Sequence, residues 1–191
     1  MVAGSFAVVD FSSLDFSSFE TVLELRRYTL HPGRRDELIT LFEREFVEPQ
    51  EAAGAHLFGL FRTSASPDEF VWLRGFRSFS ARKAALSAFY SGPAWRRFRD
   101  AANATMADSD NVLVLRPVVG GLPSPPPGSG IFLTVSSVAS PSAFAVFETD
   151  PSPNNFPQLP VRTDGPFSVS FSREASPGAE SLEPTSRSLL R

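Results

Sequence analysis

The chain contains no cysteine at all. That excludes disulfides, thiolate nucleophiles and zinc–thiolate sites in one step, and it suits a reducing compartment. Histidine is nearly as scarce, with two in 191 residues. His31 and His56 stand 25 positions apart in the sequence, so they form no recognisable metal site. No apolar run reaches the roughly 20 residues needed to span a bilayer, and no basic surplus exists: the formal net charge is -3. Nucleic acid, which demands a concentrated basic face, is therefore not an expected partner. The start, MVAGSFAVVDFSSLDF, lacks a basic region and carries Asp10 and Asp15 within its apolar stretch, which makes it a poor secretory signal. Together these absences predict a soluble, cytoplasmic protein without a membrane span.

What is present is a core-forming chain, 42% hydrophobic and 12% aromatic, of a length that suits one domain plus an appendage. Residues 20–30 alternate as a strand, with Leu23 and Leu25 on one face and Glu24, Arg26 and Tyr28 on the other. His31-Pro32-Gly33 breaks it. Asp36 and Glu37 then fall in a first helical turn, where the helix dipole favours carboxylates, and Leu38, Leu41, Phe42 and Phe46 recur at helical steps, so a helix is predicted to about Glu48. Residues 56–63 and 69–76 read as an antiparallel hairpin around Ser64–Asp68. Ser80 is a plausible N-cap for a helix over 81–90, and Pro93 suits the first position of a further helix through Trp95, Phe98 and Ala102. Residues 110–117 close the unit as a strand. The order β-α-β-β-α-β predicts an α+β fold, a ferredoxin-like antiparallel sheet with helices on one face.

The remainder is less regular. Residues 118–130 hold Pro123, Pro125, Pro126 and Pro127 among glycine and serine and read as a linker. Residues 131–139, 143–149 and 167–173 have strand patterns with no helix between them, and the loop 150–166 contains five prolines. Five segments result: a leader (1–19), the main unit (20–117), the linker, a degenerate second half of mostly strands (131–173), and a polar tail (174–191) whose composition predicts disorder.

The runs ELRRYTLHPGRRDEL (24–38), FVEPQEAAG (46–54), FVWLRGF (70–76), FYSGPAW (89–95) and DAANATMADSDNVLVLRP (100–117) resemble the NIPSNAP family, and FETDPSPNNFPQLPVRTDGPF (147–167) is similar to the second half of its longer members. The resemblance implies the dimeric α/β-barrel type, in which two ferredoxin-like sheets face one another and enclose a space. Relatives by fold include cofactor-free monooxygenases, isomerases and haem-binding enzymes. It implies no catalytic residue, because the family is mostly without an assigned reaction. Since a complete second half would bring its own helices, the expectation is a homodimer in which the main unit pairs with its copy.

Strand periodicity then supplies the site. If helices cover Leu23, Leu25, Val71 and Leu73, the opposite face turns Glu24, Arg26, Tyr28, Trp72 and Arg74 into the barrel interior. One carboxylate, two guanidinium groups, a phenol and an indole could orient a planar, oxygen-bearing ligand. Glu24, Arg26, Tyr28 and Arg74 are the catalytic candidates; Tyr28, His56, Trp72, Arg74, Tyr90 and Trp95 are the ligand-binding ones. Against this stands a plain ion pair between Glu24 and Arg74 or Arg26 that neutralises buried charge. The function expected is binding of a small hydrophobic or aromatic molecule, with cofactor-independent monooxygenation or isomerisation as its chemistry. The alternative is a non-catalytic binding or assembly module with a packed dimer core. No cofactor and no metal are called for, and a haem iron would turn to His56. Asn103-Ala-Thr105 is a formal glycosylation acceptor without a signal peptide, Ser80-Ala-Arg-Lys83 copies the penicillin-binding spacing without its companion motifs, and Arg96, Arg97 and Arg99 read as a solvated basic face.

Overall fold

A computed structural model describes residues 21–118, 128 and 130–191. The leader and most of the linker lie outside the described residues. The main unit follows the predicted order: β1 (Val22–Leu30), α1 (Arg35–Glu45), α2 (Val47–Ala52), β2 (His56–Thr63), β3 (Glu69–Phe76), α3 (Phe79–Ser91), α4 (Pro93–Asn103) and β4 (Met106–Pro117). The second half supplies β5 (Ile131–Ser136), β6 (Ala143–Thr149), β7 (Ser168–Ser172) and β8 (Glu180–Pro184). Local chemistry explains most boundaries. Gly33, at φ +77°, turns the chain out of β1. The cap of α3 is Ser78 and not Ser80: its hydroxyl accepts from the Ala81 amide at 3.1 Å, because the helix begins two residues earlier than the periodicity suggested. Pro93 opens α4 as expected.

All eight strands join antiparallel partners in one closed barrel, in the order β1-β3-β2-β8-β5-β7-β6-β4. The tail expected to be disordered instead provides β8, which pairs with both β2 and β5; Leu182 and Leu190 from this segment are buried in the core. Low hydrophobic content hid it, because a strand flanked on both edges needs few apolar side chains when backbone pairing and two anchors suffice. Across one mouth of the barrel, Arg27 of β1 ties Glu69 of β3 (2.5 Å) to Glu180 of β8 (2.5 Å).

Two apolar cores lie on the two sides of the first-half sheet. One, between sheet and helices, unites Tyr28, Phe70, Trp72 and Phe76 with Leu38, Phe42 and Phe46 from the α1 side and Ala85, Leu86 and Phe89 from α3. The other fills the barrel: Leu23, Leu25, Val71, Leu73, Leu113 and Leu115 meet Leu133, Phe147, Val169 and Phe171 of the second half. The predicted facing is thus reversed. The aliphatic alternates of β1 and β3 point into the barrel, and Glu24, Arg26, Tyr28, Trp72 and Arg74 lie beneath the helices. The period of two sorted the residues into two sets correctly. It could not assign the sets to layers, because both faces of this sheet are covered and neither meets water. The strands of the second half also take the position expected of a second copy, so the sheet is covered within one chain.

The barrel side is packed closely at one point. Gly59 of β2 sits under the Phe61 ring, and a Cβ there would stand 2.2 Å from Cε2. Gly59→Ala is expected to force the ring aside and to cost about 1–3 kcal/mol in chemical denaturation. An unchanged midpoint would mean that the ring moves freely.

Candidate functional site

Glu24, at 0% exposure, is the centre of a buried ionic cluster between sheet and helices. Directly opposite it on β3 is Arg74, whose Nε and Nη2 lie 2.8 and 2.7 Å from Oε2. Arg26, two residues along β1 on the same face, places Nη1 3.1 Å from Oε2. From above, Arg82 of α3 brings Nε and Nη2 to 2.7 and 2.6 Å from Oε1. Burial would raise the pKa of Glu24, but Arg74, Arg26 and Arg82 outweigh it and hold the carboxyl well below the usual carboxylate range. Glu24 is therefore ionised, with both oxygens committed. It anchors the arginines and is a poor proton acceptor.

Each arginine also has a neutral partner. Arg26 Nε donates to the Tyr28 hydroxyl (3.1 Å), Arg74 Nη1 donates to Gln50 Oε1 (2.6 Å), and Arg82 Nη1 donates to Asn154 Oδ1 (3.0 Å) and Asn155 Oδ1 (2.7 Å). The two asparagines come from the proline-rich loop between β6 and β7. The Asn155 amide donates to the Phe79 carbonyl and the Asn154 amide to the Leu159 carbonyl, so the loop is fastened to α3 and to itself. Guanidinium groups also lie over the Trp72 ring, Arg74 at 4.9 Å and Arg26 at 5.4 Å from its centroid. Burial pushes the Tyr28 phenol up, with Arg26 acting in the opposite direction, so Tyr28 stays protonated at neutral pH.

Beside this cluster is a small chamber of about 30 Å³, room for about two waters. Tyr28 and Trp72 form its sheet wall, Phe42, Phe46 and Gln50 one helical wall, and Phe89, Tyr90 and Trp95 the other. The rings meet edge to face: Phe42–Trp72 at 4.8 Å, Tyr28–Trp72 at 5.7 Å and Tyr90–Trp95 at 4.9 Å between centroids. Trp72 Nε1 is buried and has no hydrogen-bond partner among the described residues, a desolvation cost within the core. Tyr90 and Trp95 separate the chamber from an open groove of about 510 Å³ bordered by Ser87, Ser91, Phe156 and Leu159. Phe156 stacks on Tyr90 at 6.0 Å.

Glu24, Arg26, Tyr28, Trp72, Arg74, Tyr90 and Trp95 are thus brought together, on the helical side of the sheet and not in the barrel. His56 does not join them. It is exposed at the start of β2 and meets Phe58 of the barrel core edge to face at 5.5 Å. No histidine lines the chamber, and its small volume does not fit haem. His31 is exposed at the end of β1. Sequence reasoning missed Arg82, Gln50, Asn154 and Asn155. Arg82 carried a signal: it falls in register with Ala85, Leu86 and Phe89, so α3 presents an arginine on its apolar stripe. Gln50 had none, and the asparagines lay in a loop that no periodicity organises.

The comparisons with known proteins agree with this architecture. The NIPSNAP family profile matches residues 23–119. An uncharacterized NIPSNAP-like domain protein from Burkholderia xenovorans aligns over 58% of this chain and 96% of its own, at 25% identity and a TM-score of 0.50. A NIPSNAP family protein of unknown function from Agrobacterium tumefaciens aligns over 51% of this chain and 88% of its own, at 22% identity and a TM-score of 0.47. A candidate monooxygenase from Lactobacillus acidophilus spans both halves, covering 86% of this chain and 94% of its own at 11% identity and a TM-score of 0.54, a likeness of fold alone. No curated protein matches. With the profile spanning half the chain and the first-half elements in the predicted order, the chain belongs to the NIPSNAP family.

Proposed function

We propose that the chain binds a small hydrophobic or aromatic molecule in the chamber between sheet and helices, entered from the groove past Tyr90 and Trp95. The observation that carries this reading is a chamber walled by the rings of Tyr28, Phe42, Trp72, Tyr90 and Trp95, with guanidinium groups lying over the Trp72 ring. Pockets that combine apolar walls with a few convergent polar groups are where small ligands bind. The catalytic extension is a cofactor-independent isomerase or monooxygenase acting on an activated aromatic substrate. In that extension Tyr28, protonated and beside Arg26, delivers a proton to oxygen, and the arginines steady the charge that develops.

A non-catalytic binding module is the second reading, favoured by the small volume of the chamber and by the filled barrel. Under either reading the barrel closes without a partner copy, and a homodimer would form through some other surface. A cytoplasmic location belongs with both, since a chain without cysteine gains nothing from an oxidising compartment.

Trp72→Phe keeps an aromatic ring but shortens it, removing the indole nitrogen and part of the ring face toward the chamber. It is expected to keep the fold while weakening ligand affinity about tenfold, the effect of lost aromatic contact. The measurement is quenching of tryptophan fluorescence and thermal shift against phenols, quinones and aromatic acids. If no member of that panel binds the parent protein, the reading is wrong.

A further inference from the structure

The groove outside Tyr90 and Trp95 is aromatic within and basic along one bank. Tyr90, Trp95, Phe156 and Leu159 line it, and all but Phe156 are only half-buried. α4, which contributes Trp95, exposes Arg96, Arg97 and Arg99 immediately after it. Arg99 pairs with Asp100 at 3.2 Å, and Arg97 lies over the Phe98 ring at 5.1 Å. Neither Arg96 nor Arg97 meets a carboxylate among the described residues. Lys83 is also exposed on α3, so the outer faces of α3 and α4 carry four cations against the single carboxylate of Asp100. Half-covered rings beside uncompensated cations call for an apolar, acidic occupant.

Residues 1–20 have that chemistry. They contain Phe6, Phe11, Phe16 and Phe19, the acids Asp10, Asp15 and Glu20, and no lysine or arginine. Asp10 directly precedes Phe11 and Asp15 directly precedes Phe16, each an acid beside a ring, as Arg96 beside Trp95 is a cation beside a ring. The point of attachment also fits. Thr21 donates its amide to the Phe76 carbonyl at 3.2 Å and its hydroxyl to the Arg77 carbonyl at 2.9 Å, which fixes the end of the segment where α3 begins. From Arg77 to Tyr90 the path along α3 is roughly 20 Å at about 1.5 Å per residue. Phe11, ten residues before Thr21, reaches roughly 33 Å when extended. Between start and groove the outward residues of α3 are Ala84, Ser87 and Ala88, which obstruct little.

We propose that residues 1–20 fold back along α3 and cover the groove of the same chain, with Phe11 and Phe16 against Tyr90 and Trp95 and with Asp10 and Asp15 toward Arg96 and Arg97. The segment thereby closes the way past Tyr90 and Trp95. This goes beyond the proposed small-molecule site and does not rest on it, since the contact is read without any ligand.

The absence of cysteine makes the test direct, because an introduced pair has no competitor. In the full chain, Ser12→Cys with Ser87→Cys is expected to form an intramolecular disulfide on mild oxidation at least about tenfold faster than Ser12→Cys with Val138→Cys, which places the second thiol on an exposed turn away from the groove. Adding Phe11→Ser and Phe16→Ser should slow the first pair to the rate of the second. In the cysteine-free chain the same two serines should increase acrylamide quenching of Trp95, while the buried Trp72 stays shielded. Arg96→Glu with Arg97→Glu, or 0.5 M sodium chloride, should slow the first pair as well, since the charges lie at the surface. None of these positions belongs to either apolar core, so the barrel remains folded in every variant. Equal rates for the two cysteine pairs overturn the proposal, as does quenching unchanged by the serine substitutions. A disulfide formed between chains overturns it too, and assigns the groove to a second copy.

Discussion

Glu24→Gln is expected to be the most destabilising conservative substitution in the first half, with a loss of about 3–5 kcal/mol. Three guanidinium groups converge on this one carboxylate at 2.6–3.1 Å, all of them out of reach of water. Glutamine keeps the shape and removes the charge, so the arginines face one another uncompensated across a low-dielectric layer. Against a total stability of about 5–15 kcal/mol, that loss should lower Tm by about 10 °C. Arg82→Leu provides the contrast. It leaves Glu24 paired with Arg74 and Arg26 and strands only the asparagine oxygens, so a smaller loss of about 1–3 kcal/mol is expected. The pH dependence follows from the direction of the shift. The folded pKa of Glu24 is depressed below its ordinary value of 4.5, so its contribution is fully present above that value and is lost progressively as pH falls below it. The parent protein should weaken in acid more steeply than Glu24→Gln, whose position 24 does not titrate. Equal Tm values for parent and Glu24→Gln at pH 7, or Arg82→Leu as damaging as Glu24→Gln, would show that the carboxylate does not hold the cluster together.

The residues of that cluster illustrate what the sequence discloses and what it withholds. β2, β3 and β6 occupy the spans that alternation predicts, because a strand of six to eight residues with turns on both sides leaves little choice of register. Glu24, Arg26, Tyr28, Trp72 and Arg74 were sorted to one face for the same reason. Which layer that face meets depends on what covers the other side, and the answer lies some hundred residues away in Leu133, Phe147, Val169 and Phe171. A charged stripe is ordinarily read as facing water or a hollow. Here α3 brings its own arginine to the stripe, and the set becomes a buried ionic layer. Arg82 at an apolar position of α3 was the legible clue, since a helix that buries an arginine needs an acceptor opposite. The tail was the other failure. β8 contains two glutamates in five residues and reads as solvent-loving, yet it lies between β2 and β5, where backbone pairing on both edges holds it.

A chain cut after Pro117 is expected not to exist as a soluble monomer. The cut removes the second half and exposes the barrel face of the first, including Leu23, Leu25, Phe58, Phe61, Val71, Leu73, Leu113 and Leu115, none more than 5% exposed in the intact protein. At about 1.5–3 kcal/mol for each large apolar side chain, this face commits on the order of 10–20 kcal/mol to being covered, more than a domain of this size can forgo. A one-half chain has to solve the same covering problem with something other than β5–β8. The truncated unit should therefore self-associate through its sheet, as a dimer if two copies can face one another and as larger aggregates if the edges of β2 and β4 pair without limit. The intact protein, whose edges are already joined to β8 and β6, should sediment in dilute solution near its 20.8 kDa monomer mass. The cut also removes Asn154 and Asn155, so Arg82 loses both neutral acceptors, and affinity for aromatic ligands should fall even in a well-folded dimer. A truncated unit that sediments as a stable monomer with parental ligand affinity would mean that the second half neither covers the sheet nor supports the site.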